Sequence, residues 1–397
     1  MRVLLSNVGS TSLKFRLLEM DNESTLALGR IERVGSDHAI FNYQTTGKEP
    51  ISRELRVRDY SAAVRLAVDS LCHPETGVLD RLSDLGAVGF KVVHGGPVTG
   101  SLRIDGSVLE ALEEYSAIAP AHNPPYIQAI RIFMRLLPTT PLVGVFETSF
   151  HQTLPERAFL YGVPYEWYEK YGIRRYGFHG ASHRYVAERT AQLLGQPAAD
   201  LRIITCHLGG SSSLCAVKGG HSIDTSMGFS PQAGTSMSNR HGDVDVWIVP
   251  FMMERAGLSL AEVKQALGKE SGLLGISGLS GDVRDLEEAA ANGHRRAALA
   301  LEVFAYDVKK YIGAYAAALG GVDALAFAGG IGERGVAMRR RICEGLEFLG
   351  IALDPAKDEV SAREAIISPD DARVKVFVVP TNEEIIVARE TVKVIGG

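Results

Sequence analysis

The alternation of apolar and polar positions predicts two similar hairpins far apart in the chain. Residues 2–6 form an apolar run, Gly9, Ser10 and Thr11 have turn chemistry, and residues 13–18 resume the apolar pattern, which predicts a β-hairpin. Further on, residues 202–208 are strand-like, Gly209-Gly210-Ser211-Ser212 is a turn, and residues 214–217 continue to a second turn at Gly219-Gly220. The segments Gly9-Ser10-Thr11-Ser12-Leu13 and Gly210-Ser211-Ser212-Ser213-Leu214 nearly coincide, and their separation suits one such hairpin in each of two lobes. Strand-like runs at 141–145, 203–207, 324–328 and 374–379 alternate with helical stretches, so the class is α/β. Ser259-x-x-Glu262 reads as a capping box, and residues 295–319 form a long Ala-rich helical pattern stopped by Gly320-Gly321. The chain lacks long Pro/Ser-rich stretches, which predicts tight hinges between the lobes.

Length agrees with this picture, since 397 residues exceed the ~150 of one typical domain. Forty-two Lys and Arg against 47 Asp and Glu leave a net charge of −5, which argues against non-specific nucleic-acid binding but not against a small anion held by a few cations. The four cysteines, Cys72, Cys206, Cys215 and Cys343, have no C-x-x-C spacing, as expected of a reducing compartment and no structural zinc. No apolar run approaches the ~20 residues that cross a bilayer, and the N-terminus reaches Asn7 before a signal-peptide core forms, so a soluble, intracellular protein is expected.

Eight of the eleven histidines fall between His94 and His241, mostly beside Gly, Asn or Ser. His179 and His183 are four apart, but Gly180 argues against a regular helix there, so metal binding through them is not expected. The Gly/Ser turns are candidate anion nests, in which successive backbone N–H groups surround phosphate oxygens, with Lys14 as a nearby charge. Gly330-Ile331-Gly332-Glu333-Arg334-Gly335 fits G-x-G-x-x-G after a strand, with Asp354 spaced like a ribose-binding acid. Too little chain follows to complete a dinucleotide-binding sheet, so the turn is expected to serve an adenine or ribose instead.

Together these segments resemble the acetate kinase family of the actin-like superfamily. The resemblance rests on Asn7-x-Gly9-Ser10-x-Ser12-Leu13-Lys14, Val92-Val-His-Gly-Gly96, His122-Asn-Pro124, Phe146-x-Thr-x-Phe-His151 and Arg174-Arg-Tyr-Gly-Phe-His-Gly180. It continues through Asp224-Thr-Ser-Met-Gly228, Ser271-Gly-Leu-Leu-Gly-Ile-Ser-Gly278, Gly330-Ile-Gly-Glu333 and Thr381-Asn-Glu-Glu384. It implies a duplicated actin-like (ribonuclease H-like) fold with two lobes around a nucleotide cleft, residues 1–151 plus 385–397 forming one lobe and 152–384 the other. It also implies a cytoplasmic homodimer that transfers phosphoryl groups between ATP and a short-chain carboxylate such as acetate, with Mg²⁺, or alternatively Mn²⁺, as cofactor.

Carried over onto this sequence, the family's nucleotide-binding positions are Ser10, Ser12, Lys14, His207, Leu208, Gly209, Gly210, Ser211, Asp282, Val283, Arg284, Gly330, Ile331 and Gly332. Asn7 and Glu383 would hold the metal. Lys91, His122, Glu147, His179 and Arg240 would surround the reacting groups, and Lys91, Val93, Ala121, Phe178 and Pro231 would shape the acyl pocket.

Departures from the family pattern cluster among these positions. Lys91 stands for Arg, Glu147 for Asp, Gly210-Ser211 for Asn-Gly, Ala181 for Thr, and Ser238-Asn239-Arg240-His241 for Gly-Thr-Arg-Ser. Lys keeps the charge of Arg but loses its planar fork. Ala121 replaces a Leu and would enlarge the acyl pocket toward propionate or butyrate, a discrimination of ~1–3 kcal/mol per methylene. The competing readings are a relative with a different phosphoryl donor or acceptor, and a weakly catalytic nucleotide-binding sensor.

Overall fold

The structure is a computed structural model that describes every residue except Ser10, Pro120, Ala121 and Gly397, so the expectations for Ser10 and Ala121 lie outside the described residues. The chain divides into two compact units, 1–149 with 383–397, and 150–382. The expected boundaries therefore move. Phe150 and His151 belong to the second unit, where His151 bonds Ser222 and the Phe178 carbonyl, and Glu383 and Glu384 belong to the first, where they pair with Lys91 and Arg16.

The first unit holds β1 (Arg2–Val8), β2 (Ser12–Glu19), β3 (Ser24–Glu32), β4 (Ser36–Thr45), β5 (Ile51–Val57), β6 (Ala87–Val92), β7 (Ser101–Arg103) and β8 (Leu142–Phe146). They form one sheet in the order β5-β4-β3-β2-β1-β6-β8-β7, with β1, β6 and β8 parallel. In β2, Leu13, Phe15 and Leu17 turn inward while Lys14 is exposed, the period of two that half-buried strands require. The helices Tyr60–Leu71 and Asn123–Leu136 bury their apolar stripes in that core. The C-terminal helix Glu383–Gly396 packs near β6 at Gly89, where an added Cβ would strike Thr391 and Leu5.

The second unit holds β9 (Arg202–His207), β10 (Ser213–Lys218), β11 (His221–Thr225), β12 (Ala324–Ala328), β13 (Ala365–Ile366) and β14 (Lys375–Val378), ordered β11-β10-β9-β12-β14-β13. The run β11-β10-β9-β12-β14 repeats β3-β2-β1-β6-β8: three antiparallel strands followed by two parallel to the first. This is the duplicated architecture, and the two Gly/Ser turns occupy the same place in each copy.

Both faces of the second sheet are covered. Ile204, Cys206, Leu214 and Ala216 pack with the helix Arg295–Leu319, while Ile203, Cys215 and Ala326 pack with the helix Gly180–Leu194. The long helix ends at Gly320, whose φ of +71° supplies the left-handed cap that glycine adopts without strain. The capping box at Ser259 and Glu262 is formed. After β12 the glycine-rich turn is fastened from below by the fully buried Arg339, which donates to the Gly332 carbonyl at 2.9 Å and pairs with Asp358 at 2.8 Å.

Candidate active site

In the first unit the candidate residues gather at the carboxyl ends of the parallel strands, where open α/β sheets leave room for ligands. Asn7 lies near the end of β1, Lys91 near the end of β6, and Glu147 follows β8, its backbone N–H fixed on the Val92 carbonyl at 2.8 Å. Lys91 Nζ lies 2.8 Å from Glu147 Oε1 and 2.5 Å from Glu383 Oε2, at the start of the last helix. Burial alone would lower the Lys91 pKa, but the carboxylates of Glu147 and Glu383 hold it well above its ordinary value. Tyr126 donates its hydroxyl to Asn7 Oδ1 at 2.9 Å, and burial pushes the phenol up to about 12, so it remains a donor.

A small pocket here is lined by Asn7, Lys14, Lys91, Glu383 and Glu384. The first Gly/Ser turn closes when Gly9 N–H donates to the Ser12 carbonyl at 2.8 Å, and the Tyr60 hydroxyl donates to the Gly9 carbonyl. Ser12 and Val93 are half-buried and Lys14 is exposed. His122 precedes the helix Asn123–Leu136, and Asn123 ties that helix start to the His94 carbonyl at 2.7 Å.

Asn7, Glu147 and Glu383 offer oxygen donors only, which suits a hard cation. Among the described residues no group of three or more His, Cys, Asp or Glu is arranged to hold a metal. This oxygen set fits Mg²⁺, which keeps several waters and shares its shell with phosphates, better than an ion enclosed by protein.

The second unit is built differently. The helix Gly180–Leu194 does start at Gly180, contrary to the sequence expectation, because a glycine in the first turn costs little and His179 itself takes the left-handed turn at φ +55°. Nearby Gly177, at φ +76°, leaves no space for a Cβ against the His151 ring. His151 Nε2 donates to the Phe178 carbonyl at 2.9 Å, and its Nδ1 lies 2.8 Å from Ser222 Oγ. Burial lowers the His151 pKa to about 4, so the ring stays neutral near pH 7.

The His179 and His207 rings stack with centroids 4.2 Å apart. His207 Nδ1 is 2.7 Å from Ser182 Oγ, which reaches Thr381 Oγ1 at 2.8 Å. His183, not expected from its sequence context to bind a metal, lies fully buried at the centre of this histidine group, and desolvation holds its pKa well below the usual value.

Leu208 organises the second Gly/Ser turn and the glycine-rich turn together. Its carbonyl accepts from Ile331 N–H at 2.9 Å and Gly332 N–H at 3.3 Å, and Gly329, at φ +74°, leaves no room for a Cβ against the Leu208 backbone. Gly209 and Ser212 close the other turn, Gly209 N–H donating to Ser212 Oγ at 3.2 Å. Arg240 Nη1 donates to Ser211 Oγ and to the Pro231 carbonyl, each at 3.1 Å. The loop carrying Arg240 is stitched down by Ser271, Leu273 and Leu274, which donate to the Asn239, Met237 and Ser238 carbonyls.

Burial pulls the Arg240 pKa below its usual value, and among the described residues no carboxylate pairs with it. Phe178 is buried. Asp282 caps the helix Val283–Ala291 and pairs with the exposed Arg284 at 2.6 Å.

Tyr126, and Thr205 and Ser213, which hydrogen-bond His183, were not among the residues expected here. For Ser213 a signal existed, since it is the last serine of the repeated turn segment.

The chain matches the model of the Acetokinase family over residues 2–389. It is 51% identical over 396 residues to an acetate kinase of Carboxydothermus hydrogenoformans, covering 100% of this chain and 99% of that protein. A Methanosarcina barkeri acetate kinase is 48% identical, at 100% and 97% coverage. Among solved structures, Porphyromonas gingivalis acetate kinase superposes with a TM-score of 0.91 at 40% identity, covering 99% of each chain. A propionate kinase from Francisella tularensis superposes with a TM-score of 0.90 at 36% identity, again covering 99% of each.

Proposed function

The chain belongs to the acetokinase family, and on that premise we propose that it catalyses reversible transfer of the γ-phosphoryl group of ATP to acetate, giving acetyl phosphate and ADP. Arg240 carries this reading. It is a partly buried guanidinium oriented by a hydroxyl and a carbonyl, with no carboxylate to balance it among the described residues, so its charge is available to an anion from solution.

A short carboxylic acid has a pKa close to the ~4 of side-chain carboxyls and is already ionised at neutral pH, so the acceptor needs no general base. What the reaction demands is stabilisation of phosphoryl charge during in-line transfer. In the second unit, Arg240 and His179 serve that charge, Gly209, Gly210 and Ser211 receive phosphate oxygens, and Asp282, Val283, Arg284 and Gly330 to Gly332 receive the nucleoside. In the first unit, Ser12 and Lys14 receive phosphate and Val93 favours a short acyl group.

Asn7, Glu147 and Glu383 would hold Mg²⁺, which when bound neutralises phosphate charge. Lys91 bridges Glu147 and Glu383, so its role in this reading is to fix those two carboxylates rather than to grip the acid directly.

The protein is further proposed to be cytoplasmic and homodimeric. No described helix is long and apolar enough to cross a membrane, the four cysteines are free, and Val246, Trp247 and Phe251 present an exposed apolar stretch suited to a second copy. A hydroxamate assay with ATP, Mg²⁺ and acetate tests the activity. Wild type should form acyl phosphate and Arg240→Ala should lose roughly 10²–10³-fold in turnover. No product from wild type, or an unchanged Arg240→Ala variant, would contradict the proposal.

A further inference from the structure

We propose that Thr205, His183 and Ser213 are positioning residues that lock His179 as the tautomer protonated on Nε2. The inference rests on the reading that His179 faces transferred phosphoryl oxygens and donates to them from Nε2.

The four residues form one chain of hydrogen bonds inside the second unit. Thr205 Oγ1 lies 2.7 Å from His183 Nδ1, His183 Nε2 lies 2.7 Å from Ser213 Oγ, and Ser213 Oγ lies 2.8 Å from His179 Nδ1. Thr205, His183 and Ser213 are buried, at 1%, 0% and 0% exposure, which shields their hydroxyls and ring from bulk water. Thr205 and Ser213 lie on the sheet face covered by the helix Gly180–Leu194, which explains why His183 reaches both.

When both rings are neutral, two directions of donation are available. In one, the Thr205 hydroxyl donates to His183 Nδ1, His183 Nε2–H donates to Ser213, and the Ser213 hydroxyl donates to His179 Nδ1. The His179 proton then sits on Nε2, and every buried donor is used. In the reverse direction His179 donates from Nδ1, Ser213 donates to His183 Nε2, His183 Nδ1–H donates to Thr205, and the Thr205 hydroxyl has no acceptor among the described residues.

Orphaning a buried donor disfavours the reverse direction by roughly tenfold to a hundredfold. The direction of the whole chain is thus set at Thr205, three hydrogen bonds from the ring it controls. The backbone is held as firmly as the ring, because His151 donates to the Phe178 carbonyl on the peptide leading into His179.

Imidazole ¹⁵N NMR of histidine-labelled full-length protein tests this, with His179→Asn identifying the His179 signals. Wild type should show Nε2 protonated and Nδ1 unprotonated. Thr205→Val, which removes the first donor but keeps the shape, should give a mixture of tautomers at His179 and lower kcat by about threefold to tenfold with KM for ATP and acetate nearly unchanged. Thr205→Ser should restore both signals and rate, and Ser213→Ala should mix the tautomers as well.

A wild-type ring protonated on Nδ1, tautomers unmoved in both Thr205→Val and Ser213→Ala, or an unchanged kcat in a variant whose tautomers have mixed would overturn the proposal. If wild type phosphorylates no carboxylate while the tautomer pattern holds, the functional reading fails and the hydrogen-bond chain stands.

Discussion

The two units solve the same problem of fixing polar groups with opposite chemistry. In the first, a cation sits between two anions, with Lys91 on Glu147 and Glu383. In the second, imidazoles and hydroxyls hold one another, and the cation Arg240 has no carboxylate partner among the described residues. An ion cluster holds positions through charge and tolerates any partner of the right sign. A neutral chain of donors and acceptors fixes direction as well as position, and a single hydroxyl can reverse it. The contrast predicts that the first region fails by loss of charge and the second by loss of geometry or by unwanted protonation.

The largest effect should come from Lys91→Met. Two carboxylates would then face each other without their shared cation, and breaking such a partly buried cluster should cost about 3 kcal/mol of unfolding free energy. Urea denaturation at pH 7.5 measures it. Lys91→Arg, which keeps the charge, should lose less than about 1 kcal/mol. Equal losses in both variants would show that shape rather than charge holds the cluster. Since the Lys91 pKa is raised, its contribution is fully present below the unfolded value of ~10.4 and fades only as pH rises through the folded value, so neutral pH suits the comparison.

Acid should reveal the second region. The His151 pKa is lowered to about 4 and that of His183 well below its usual value, chiefly by burial in both cases. The unfolded chain takes up these protons near pH ~6.5 while the folded chain does not. Stability should therefore be complete above that pH and fall on acidification toward pH 4, by about 1.4 kcal/mol per pH unit for each ring. Urea midpoints between pH 7.5 and 4.5 check this, and His151→Gln should make the slope shallower. An identical slope in that variant would mean that other groups govern the acid limb.

The smallest effect is expected at Ser211. Removing its hydrogen bond to Arg240 in Ser211→Gly should lower kcat/KM for acetate by about twofold to tenfold, the net worth of one ordinary hydrogen bond. A rise in kcat/KM would show that the serine restrains the arginine unproductively.

Much of the fold was legible in the sequence because it depends on local rules. The two Gly/Ser turns, the Ser259 capping box and the Gly320 stop announce themselves through residue type and spacing, and the structure forms all of them. The G-x-G-x-x-G segment shows the limit of such rules. The turn is present after β12, but its sheet repeats the order of the first unit rather than that of a dinucleotide fold.

The candidate site was legible as a set of residues but not as a set of partners. Lys91 and Glu383 are far apart in sequence and meet only because the last helix packs near β6. Thr205 and Ser213 look like ordinary strand residues until the antiparallel register of β9 and β10 turns both toward His183. The misjudged helix start at Gly180 has a similar cause, since the left-handed turn is taken by His179 and not by a glycine.

Phosphoryl transfer to acetate is read by ³¹P NMR of wild-type protein with ATP, Mg²⁺ and acetate. Acetyl phosphate and ADP should appear in equal amounts, only when acetate is present, and ADP with acetyl phosphate should regenerate ATP. ATP left intact, or hydrolysed to inorganic phosphate independently of acetate, would contradict it.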